Sequence, residues 1–341
     1  MQDNAILVQV ENLYRYYDAH CAVEDLSFEL RKGEILGFLG PNGAGKSTTM
    51  QILSGNLAPS AGRVRIAGVD LLDEPRRAKA RIGYLPEQPP VYSELSVDEY
   101  LDYCTRLHRM PNARRRGARD DAKQRCGLEQ VGQRLIGNLS KGYQQRVGIA
   151  QAIIHAPEVV ILDEPTVGLD PIQIREIRTL ITELGRAHSV ILSTHILPEV
   201  QTLCSRVQII NRGRLVFNDS LAGLTEQLQA TSLLLTLKRA PATAALEKIA
   251  GVAATEVLED GRVRVHFEPG RNPAEALAEA AVRQDWGLTE LVQERKNLEQ
   301  IFVALTTGEE NAGAPATDAR PEAAAQSGVQ PHHDGAPRLA P

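Results

Sequence analysis

Residues 40–48 read Gly40-Pro41-Asn42-Gly43-Ala44-Gly45-Lys46-Ser47-Thr48, which is the spacing G-x-x-x-x-G-K-S. The apolar run at residues 35–39 precedes this stretch, and residues 47–53 have the composition of a helix. A glycine-rich turn between a buried strand and a helix aligns unpaired backbone N–H groups, and the helix dipole adds positive potential there. The stretch therefore predicts a phosphate-binding loop for a nucleoside triphosphate.

The residue types of this loop suit a triphosphate. Gly40, Gly43 and Gly45 let the main chain approach the phosphates and adopt dihedral angles that a Cβ atom disfavours. We expect Lys46 to place its ammonium group on the β- and γ-phosphates, and the Ser47 hydroxyl to bind Mg²⁺. The alternative is a flexible glycine-rich loop that carries a lysine by chance, but the flanking strand and helix favour the phosphate loop. Kinases, GTPases and transport ATPases share this loop, so the reaction stays open at this point.

The overall composition limits the class of protein. The chain has 341 residues, of which 43% are hydrophobic and 24% charged, and its net charge is -5. These values are typical of a soluble globular protein and give no general basic surface for nucleic acid. No apolar run approaches the roughly 18 residues of a membrane span, and residues 1–4 lack a signal-peptide pattern. We therefore expect a cytoplasmic protein with reduced thiols at Cys21, Cys104, Cys126 and Cys204, which lack C-x-x-C spacing.

Buried strands and helices alternate along the first part of the chain. We predict strands at residues 159–162, 189–193 and 206–211, a helix at 172–187 and a mostly helical region at 96–155. Strands that are apolar throughout are typical of a parallel sheet covered on both faces. The alternation favours a mostly parallel α/β sheet. We expect this domain to end near residue 222.

An aromatic segment, Tyr14-Arg15-Tyr16-Tyr17-Asp18, precedes the phosphate loop. We predict a turn there, between strands at residues 5–10 and 26–30. The tyrosines could serve packing alone, or one of them could stack its ring on a purine. The spacing favours Tyr17 for that contact.

Two acidic residues and a histidine follow neighbouring strands. Asp163 and Glu164 end the apolar strand at 159–162, at the edge where α/β sheets bind their ligands. In a phosphoryl-hydrolysing site the first carboxylate can hold Mg²⁺ through its waters, and the second can orient or deprotonate the attacking water. Glu164 is thus the candidate general base. His195 could reach the γ-phosphate from the next strand end, although a lone histidine is often only a satisfied polar residue.

A basic run lies within the helical region. It is interleaved with aspartates and lacks aromatic residues, so a solvated helix face or loop is favoured over a nucleic-acid patch. Its members are Arg106, Arg109, Arg114, Arg115, Arg116 and Arg119.

The pattern changes after residue 222. Strands are predicted at 232–238, 253–259, 262–267 and 288–292, and helices at 242–249, 273–283 and 297–305. The order β-α-β-β-α-β-α, with a hairpin about Asp260-Gly261, predicts a small α+β ferredoxin-like domain at residues 223–308. Residues 309–341 are rich in Ala, Pro and Gly and are expected to form a disordered tail.

A series of motifs in this order resembles the ATP-binding subunits of ABC transporters. The motifs are the phosphate loop, Leu85-Pro86-Glu87-Gln88, Leu139-Ser140-Lys141-Gly142-Tyr143-Gln144-Gln145-Arg146, Ile161-Leu162-Asp163-Glu164-Pro165, Gly168-Leu169-Asp170 and His195. The resemblance covers residues 5–222. It implies an α/β P-loop ABC cassette at residues 1–222, with a mostly parallel sheet and a helical subdomain at about 88–155.

The resemblance also implies roles for individual residues. Tyr17 would stack on adenine, Glu164 would act on the water and His195 on the γ-phosphate. Ser140 and Gly142 of one subunit would cap the γ-phosphate of ATP held by the partner's phosphate loop, with Asp170 at the interface. ATP and Mg²⁺ would then join two copies of the chain, and hydrolysis would release them.

Two positions depart from the family's pattern. The segment after Ser140 commonly ends in Gly-Gly-Gln, whereas this chain has Lys141-Gly142-Tyr143; Ser140 and Gly142 remain, so we expect capping to survive. The family's Mg²⁺-binding Gln corresponds to Glu87, with Gln88 beside it. A carboxylate can bind Mg²⁺ as well or better, but its charge would repel the γ-phosphate. Whether Glu87 or Gln88 serves at this position stays open.

Within the family, the chain resembles single-domain ATPase subunits of bacterial efflux-type systems, including gliding-motility-associated and sodium- and drug-export ATPases. This narrower resemblance is carried by Leu85-Pro86-Glu87 and the closing residues 297–302. It implies an ATPase on the inner face of the cell membrane that drives a separate permease. We expect the permease to contact residues 87 to about 103, because this segment leaves directly from the neighbourhood of the γ-phosphate. Two alternatives stay open: a soluble ABC protein acting on ribosomes, DNA or an assembly scaffold, and a nucleotide sensor with little hydrolysis.

Overall fold

The computed structural model describes residues 5–226, 232–258, 260–268, 271–294 and Phe302. In chain order, the elements up to residue 226 are β1 (Ile6–Tyr17), β2 (His20–Arg31), β3 (Ile35–Leu39), α1 (Lys46–Leu53), β4 (Ala61–Ile66), β5 (Val69–Asp70), α2 (Pro75–Lys79), β6 (Ile82–Leu85), α3 (Val97–Leu107), α4 (Asn112–Cys126), α5 (Lys141–Ile153), β7 (Val159–Asp163), α6 (Pro171–Leu184), β8 (Ser189–Thr194), α7 (Leu197–Leu203), β9 (Arg206–Asn211), β10 (Arg214–Ser220) and α8 (Leu221–Glu226). The later elements are β11 (Ser232–Leu237), α9 (Thr243–Leu246), β12 (Val252–Val257), β13 (Val263–Phe267), α10 (Ala274–Arg283) and β14 (Leu288–Glu294).

A six-stranded sheet forms the centre of the first part, in the order β10-β9-β3-β8-β7-β6. Neighbouring strands are parallel except for β10, which pairs antiparallel with β9. Val159 and Ile161 of β7 pack into one hydrophobic core, whereas Val160 and Leu162 pack into another. Both faces of the sheet are therefore covered, as the all-apolar strands predict, and the mostly parallel α/β fold is confirmed.

The aromatic segment before the phosphate loop does not form the predicted turn. Strand β1 runs through Tyr17, in an antiparallel sheet of order β2-β1-β4-β5, and the reversal lies between Tyr17 and His20. Aromatic residues favour strands, and the rings of Tyr14 and Tyr16 lie on one face with centroids 6.3 Å apart. The β1–β2 register has several irregularities, and pairing nevertheless continues to the end of the strand, where Tyr17 faces His20.

Helices α3, α4 and α5 lie between β6 and β7 and form the predicted helical subdomain. A capping box begins α3: the Ser96 hydroxyl accepts from Glu99 N at 3.3 Å, and the Glu99 carboxylate accepts from Ser96 N at 2.8 Å. The basic run lies on and between α3 and α4, where ion pairs join Arg106 to Asp102 and Arg119 to Asp120.

The last sheet has the order β12-β13-β11-β14, and all of its neighbouring strands are antiparallel. With α9 and α10 between the strands, this is the ferredoxin-like arrangement that the sequence predicts. The sheet has its own core, which includes Leu233, Val265 and Trp286. The predicted helix at 297–305 lies outside the described residues except for Phe302, as does the predicted tail at 309–341. The domain boundaries stay predictions.

No helix within the described ranges is long and apolar enough to cross a membrane.

Candidate functional site

The phosphate loop connects β3 to α1 as the sequence predicts. Gly45 precedes the helix with a φ of +103°, a left-handed conformation that glycine adopts without strain. A Cβ atom at Gly45 would lie 2.5 Å from the Ala22 carbonyl oxygen, and one at Gly40 would lie 2.4 Å from that of Ile210. No side chain in the described ranges caps the N-terminus of α1. Its first amides are therefore available to an anion.

An open cavity of about 510 Å³ lies over this loop. It brings together residues from distant parts of the chain: Tyr17, Lys46, Glu87, Glu164 and His195 all line it. The loop itself contributes Asn42, Gly43, Gly45, Ser47 and Thr48, while Gly40, Pro41 and Ala44 complete the turn. The volume lies within the range of small-molecule sites.

Lys46 is almost buried, with 5% of its surface exposed. Its Nζ atom donates to the carbonyl oxygens of Gly40 at 2.9 Å and Pro41 at 3.2 Å. The same atom lies 3.3 Å from Glu164 Oε1. Oxygen atoms thus surround the ammonium group, which compensates for its loss of water.

Glu164 contacts both Lys46 and His195. Its second carboxylate oxygen, Oε2, lies 2.9 Å from His195 Nδ1. The backbone of Glu164 has a φ of +49°, which is strained for a residue with a Cβ atom. A hydrogen bond from Glu164 N to the Ser193 carbonyl, at 2.9 Å, helps to hold it. Such strained residues persist only where neighbouring contacts fix them, and they cluster at functional sites.

Asp163 lies buried at the end of β7, next to Ser47. Burial raises the pKa of Asp163 above its ordinary value. The hydroxyls of Ser193 and Ser47 oppose this shift, whereas the charges of Glu164 and Glu87 add to it. One of its oxygens, Oδ1, is buried without a hydrogen-bond partner among the described residues. An orphaned carboxylate oxygen beside a serine hydroxyl suits a hard cation.

The donor set near Asp163 fits Mg²⁺ bound together with a nucleotide. The described part of the chain has no group of three or more His, Cys, Asp or Glu side chains arranged to hold a metal alone. Mg²⁺ in nucleotide sites needs fewer protein ligands, because phosphates and waters complete its octahedron. In such a site Ser47 and Glu87, which line the cavity, and the buried Asp163, which does not, would hold Mg²⁺. Of the pair left open by the sequence, Glu87 lines the cavity and Gln88 does not.

Tyr17 lies at the rim of the cavity with 43% of its surface exposed. The Arg15 guanidinium covers its ring at 4.8 Å from the centroid. His20 faces Tyr17 across the hairpin and also lines the cavity, as does Val167. Sequence reasoning missed His20 because it predicts a broad turn at residues 14–18, whereas pairing across the short turn would have placed His20 beside Tyr17.

Ser140 and Gly142 do not line the cavity formed by their own chain. Ser140 is exposed and caps α5, accepting from Tyr143 N at 3.5 Å. Gly142 packs so closely on α6 that a Cβ atom would lie 2.7 Å from Gln173 Cδ. Asp170 caps α6, accepting from the amides of Ile172 and Gln173 at 2.9 Å. The N-termini of α5 and α6 thus lie side by side.

Comparisons with known proteins point to one family. A family model described as ABC transporter matches residues 23–167. An uncharacterised ABC transporter ATP-binding protein of Bacillus subtilis, YxlF, is 31% identical over 297 residues, which are 87% of this chain and 98% of that protein. The bacitracin transport ATP-binding protein BcrA of Bacillus licheniformis is 31% identical over 304 residues, 89% and 98% of the two chains. The solved structure of cbiO1 from Clostridium perfringens, described as part of the ABC transporter complex cbiONQ, is 29% identical with a TM-score of 0.60, covering 65% of this chain and 91% of that one.

Proposed function

The chain belongs to the ATP-binding proteins of ABC transporters and is an ATPase, and we propose that it dimerises on ATP to power a separate membrane permease. The observation that carries this proposal is the placement of Glu164. Its carboxylate contacts Lys46 through one oxygen and His195 through the other, beside the phosphate loop.

Binding of ATP would use the whole cavity. Tyr17 would stack on adenine, and the amides of residues 40–48 would surround the phosphates. Lys46 would leave Glu164 for the β- and γ-phosphates, whose oxygens carry more charge. Ser47, Asp163 and Glu87 would hold Mg²⁺, with Asp163 acting through metal-bound waters. When bound, Mg²⁺ supplies neutralisation of charge on the phosphates.

Hydrolysis would follow from the contacts of Glu164. Once Lys46 turns to the phosphates, Glu164 Oε1 becomes free to accept a proton from the attacking water. The water oxygen bonds to the γ-phosphorus as the bond between the γ-phosphorus and the β–γ bridging oxygen breaks. ADP and phosphate result. His195, held by Glu164 Oε2, would contact the γ-phosphate and stabilise its developing charge.

A second copy of the chain would complete the site. Ser140 is exposed at the N-terminus of α5, whereas Gly142 is buried against α6, and neither residue lines the cavity of its own chain. The N-terminus of α5 would therefore cap the γ-phosphate held by the partner subunit. Asp170, at the adjacent N-terminus of α6, would lie at the same interface.

The permease would dock on the surface that follows Glu87. Residues 87–103 leave the cavity directly and carry exposed rings at Tyr92 and Tyr103, which contact each other with centroids 5.8 Å apart. Exposed aromatic residues are typical of protein interfaces. The relatives named for bacitracin transport and for a transporter complex support the same assignment. The protein would then lie on the cytoplasmic face of the cell membrane.

Co-purification tests the proposed partner. The tagged chain, isolated from solubilised membranes, should bring down a polytopic protein, and Tyr92→Ala combined with Tyr103→Ala should weaken that capture. Leu107→Ala, which changes another exposed apolar residue outside this surface, serves as the control. Sedimentation with ribosomes, without a membrane partner, would contradict the transporter assignment and favour a soluble ABC protein.

A further inference from the structure

A second carboxylate, Glu199, lies beside the loops that carry Glu164 and His195. It belongs to α7 and is fully buried. The Thr166 hydroxyl donates to Glu199 Oε1 at 2.5 Å, and the Thr194 hydroxyl donates to Oε2 at 2.9 Å. Each oxygen of the carboxylate thus holds a different hydroxyl.

These two threonines belong to the two catalytic loops. Thr166 follows Glu164 by two residues after β7, and Thr194 immediately precedes His195 at the end of β8. Thr194 also accepts a hydrogen bond from Ile196 N at 3.1 Å, so its hydroxyl fixes the backbone on both sides of His195. A single side chain therefore joins both loops.

Stability alone does not explain a carboxylate at this position. Burial of a carboxylate is unfavourable unless charged and polar partners compensate, and apolar residues often replace buried ion pairs without loss of stability. The nearest cationic partner described is Arg178 of α6, whose Nη2 atom lies 3.6 Å from Glu199 Oε1. Two acceptor oxygens on one side chain, however, are what a bridge between two hydroxyl donors requires.

The loops need such a bridge because Glu164 and His195 must stay in contact with each other. Glu164 is held in a strained left-handed conformation, and its Oε2 must stay within 2.9 Å of His195 Nδ1. Catalytic groups must be held within about half an ångström of their productive positions. We infer that Glu199 is a positioning residue that fixes Glu164 and His195 relative to each other through Thr166 and Thr194. This inference rests on the roles proposed above for Glu164 and His195.

Hydroxyl replacements on the full-length chain test this inference. We expect Thr194→Val to lower kcat for ATP by about 10- to 100-fold, because small displacements of reacting groups have effects of this size. Thr194→Ser keeps the hydroxyl and should restore kcat to within about twofold of wild type. The dissociation constant of a non-hydrolysable ATP analogue should change little in either variant. The melting temperature should fall in Thr194→Val, because the buried carboxylate of Glu199 loses a donor, so kcat is compared at a temperature at which both variants are folded. A merely structural role would lower the melting temperature without lowering the kcat of the folded protein.

The control is a threonine of α7, the helix that carries Glu199. Thr202→Val removes a hydroxyl of α7 that donates to the Pro198 carbonyl and touches neither loop, so its kcat should stay unchanged. If Thr194→Val does not fold, the pair Thr166→Val and Thr166→Ser takes its place. A kcat near wild type in the valine variant, or an equal loss in the serine variant, would overturn the positioning role. If Glu164→Gln also hydrolyses ATP at the wild-type rate, the proposed role of Glu164 as the base is wrong.

Discussion

Lys46 Nζ lies 3.3 Å from Glu164 Oε1, and both side chains are nearly buried. The lysine of the phosphate loop thus pairs with the carboxylate that we assign to the attacking water. By our proposal, a γ-phosphate that takes Lys46 would also release Glu164 Oε1. The contact would then couple nucleotide binding to the availability of the base.

Lys46→Met should weaken ATP binding by about 10- to 150-fold, because hydrogen bonds to charged groups contribute about 1.5–3 kcal/mol. Titration calorimetry with ATP measures the effect. Lys79→Met changes an exposed lysine on α2 that does not line the cavity, and it should bind ATP as wild type does. Equal affinities in the two variants would contradict the assigned role of Lys46.

Glu87→Gln should strengthen ATP binding in the absence of Mg²⁺ by roughly fivefold, because it removes a negative charge worth about 1 kcal/mol of repulsion near the γ-phosphate. The same change should raise the Mg²⁺ concentration that gives half-maximal hydrolysis, since a carboxylate is lost from the donor set. Gln88→Ala is the matched control, because Gln88 does not line the cavity. If Gln88→Ala alone alters the Mg²⁺ dependence, the assignment of Glu87 is wrong.

Replacement of two helix-capping serines by alanine should affect different properties, stability for Ser96 and ATP hydrolysis for Ser140. Ser96→Ala breaks the capping box of α3 and should lower the free energy of unfolding by about 1 kcal/mol, with little change in ATP hydrolysis by the isolated chain. Ser140→Ala should reduce hydrolysis by about 10-fold or more, because this residue would contact the partner's γ-phosphate. The hydrogen bond by which Ser140 caps α5 is long, at 3.5 Å, so the free energy of unfolding should change less in Ser140→Ala than in Ser96→Ala. Urea unfolding and steady-state hydrolysis separate the two, and a reversed pattern would contradict the assignment of Ser140.

Acid should destabilise the protein through His155. Burial lowers the pKa of His155 to about 4, and the His108 ring stacked on it at 3.8 Å further disfavours a positive charge. The unfolded pKa is about 6.5, so the unfolded chain binds more protons as the pH falls between these values. The contribution of the neutral His155 to the free energy of unfolding is fully present above about pH 6.5. Up to about 3 kcal/mol of this free energy is lost by pH 4. Urea unfolding of wild type and His155→Gln measures the difference, and an identical pH dependence in both would contradict it.

Local patterns in the sequence predict the parts of the site that are local in the chain. The strand, turn and helix around Lys46 follow from apolar and glycine residues that adjoin it, and Asp163 and Glu164 follow from the all-apolar β7. The mostly parallel sheet and the ferredoxin-like strand order were also predictable, because both follow from the order of the elements.

Contacts between distant residues were not predictable in this way. Strand β1 extends through Tyr17 because β2 and β4 pair with it despite irregular register, which the sequence of β1 alone does not show. Strand β10 and helix α7 were missed, although Pro198 in the first turn of α7 favours a helix start there. Glu199 reaches Thr166 across 33 positions of the sequence, so only the folded chain brings them together.

By our proposal, ATP joins two copies of the chain into a complete site. The most direct measurement is the mass of Glu164→Gln by light scattering in the presence of Mg²⁺ and either ATP or ADP. We predict twice the monomer mass with ATP and the monomer mass with ADP, because hydrolysis can no longer separate the two copies. A monomer under both conditions, from a variant that still binds ATP, would contradict the account.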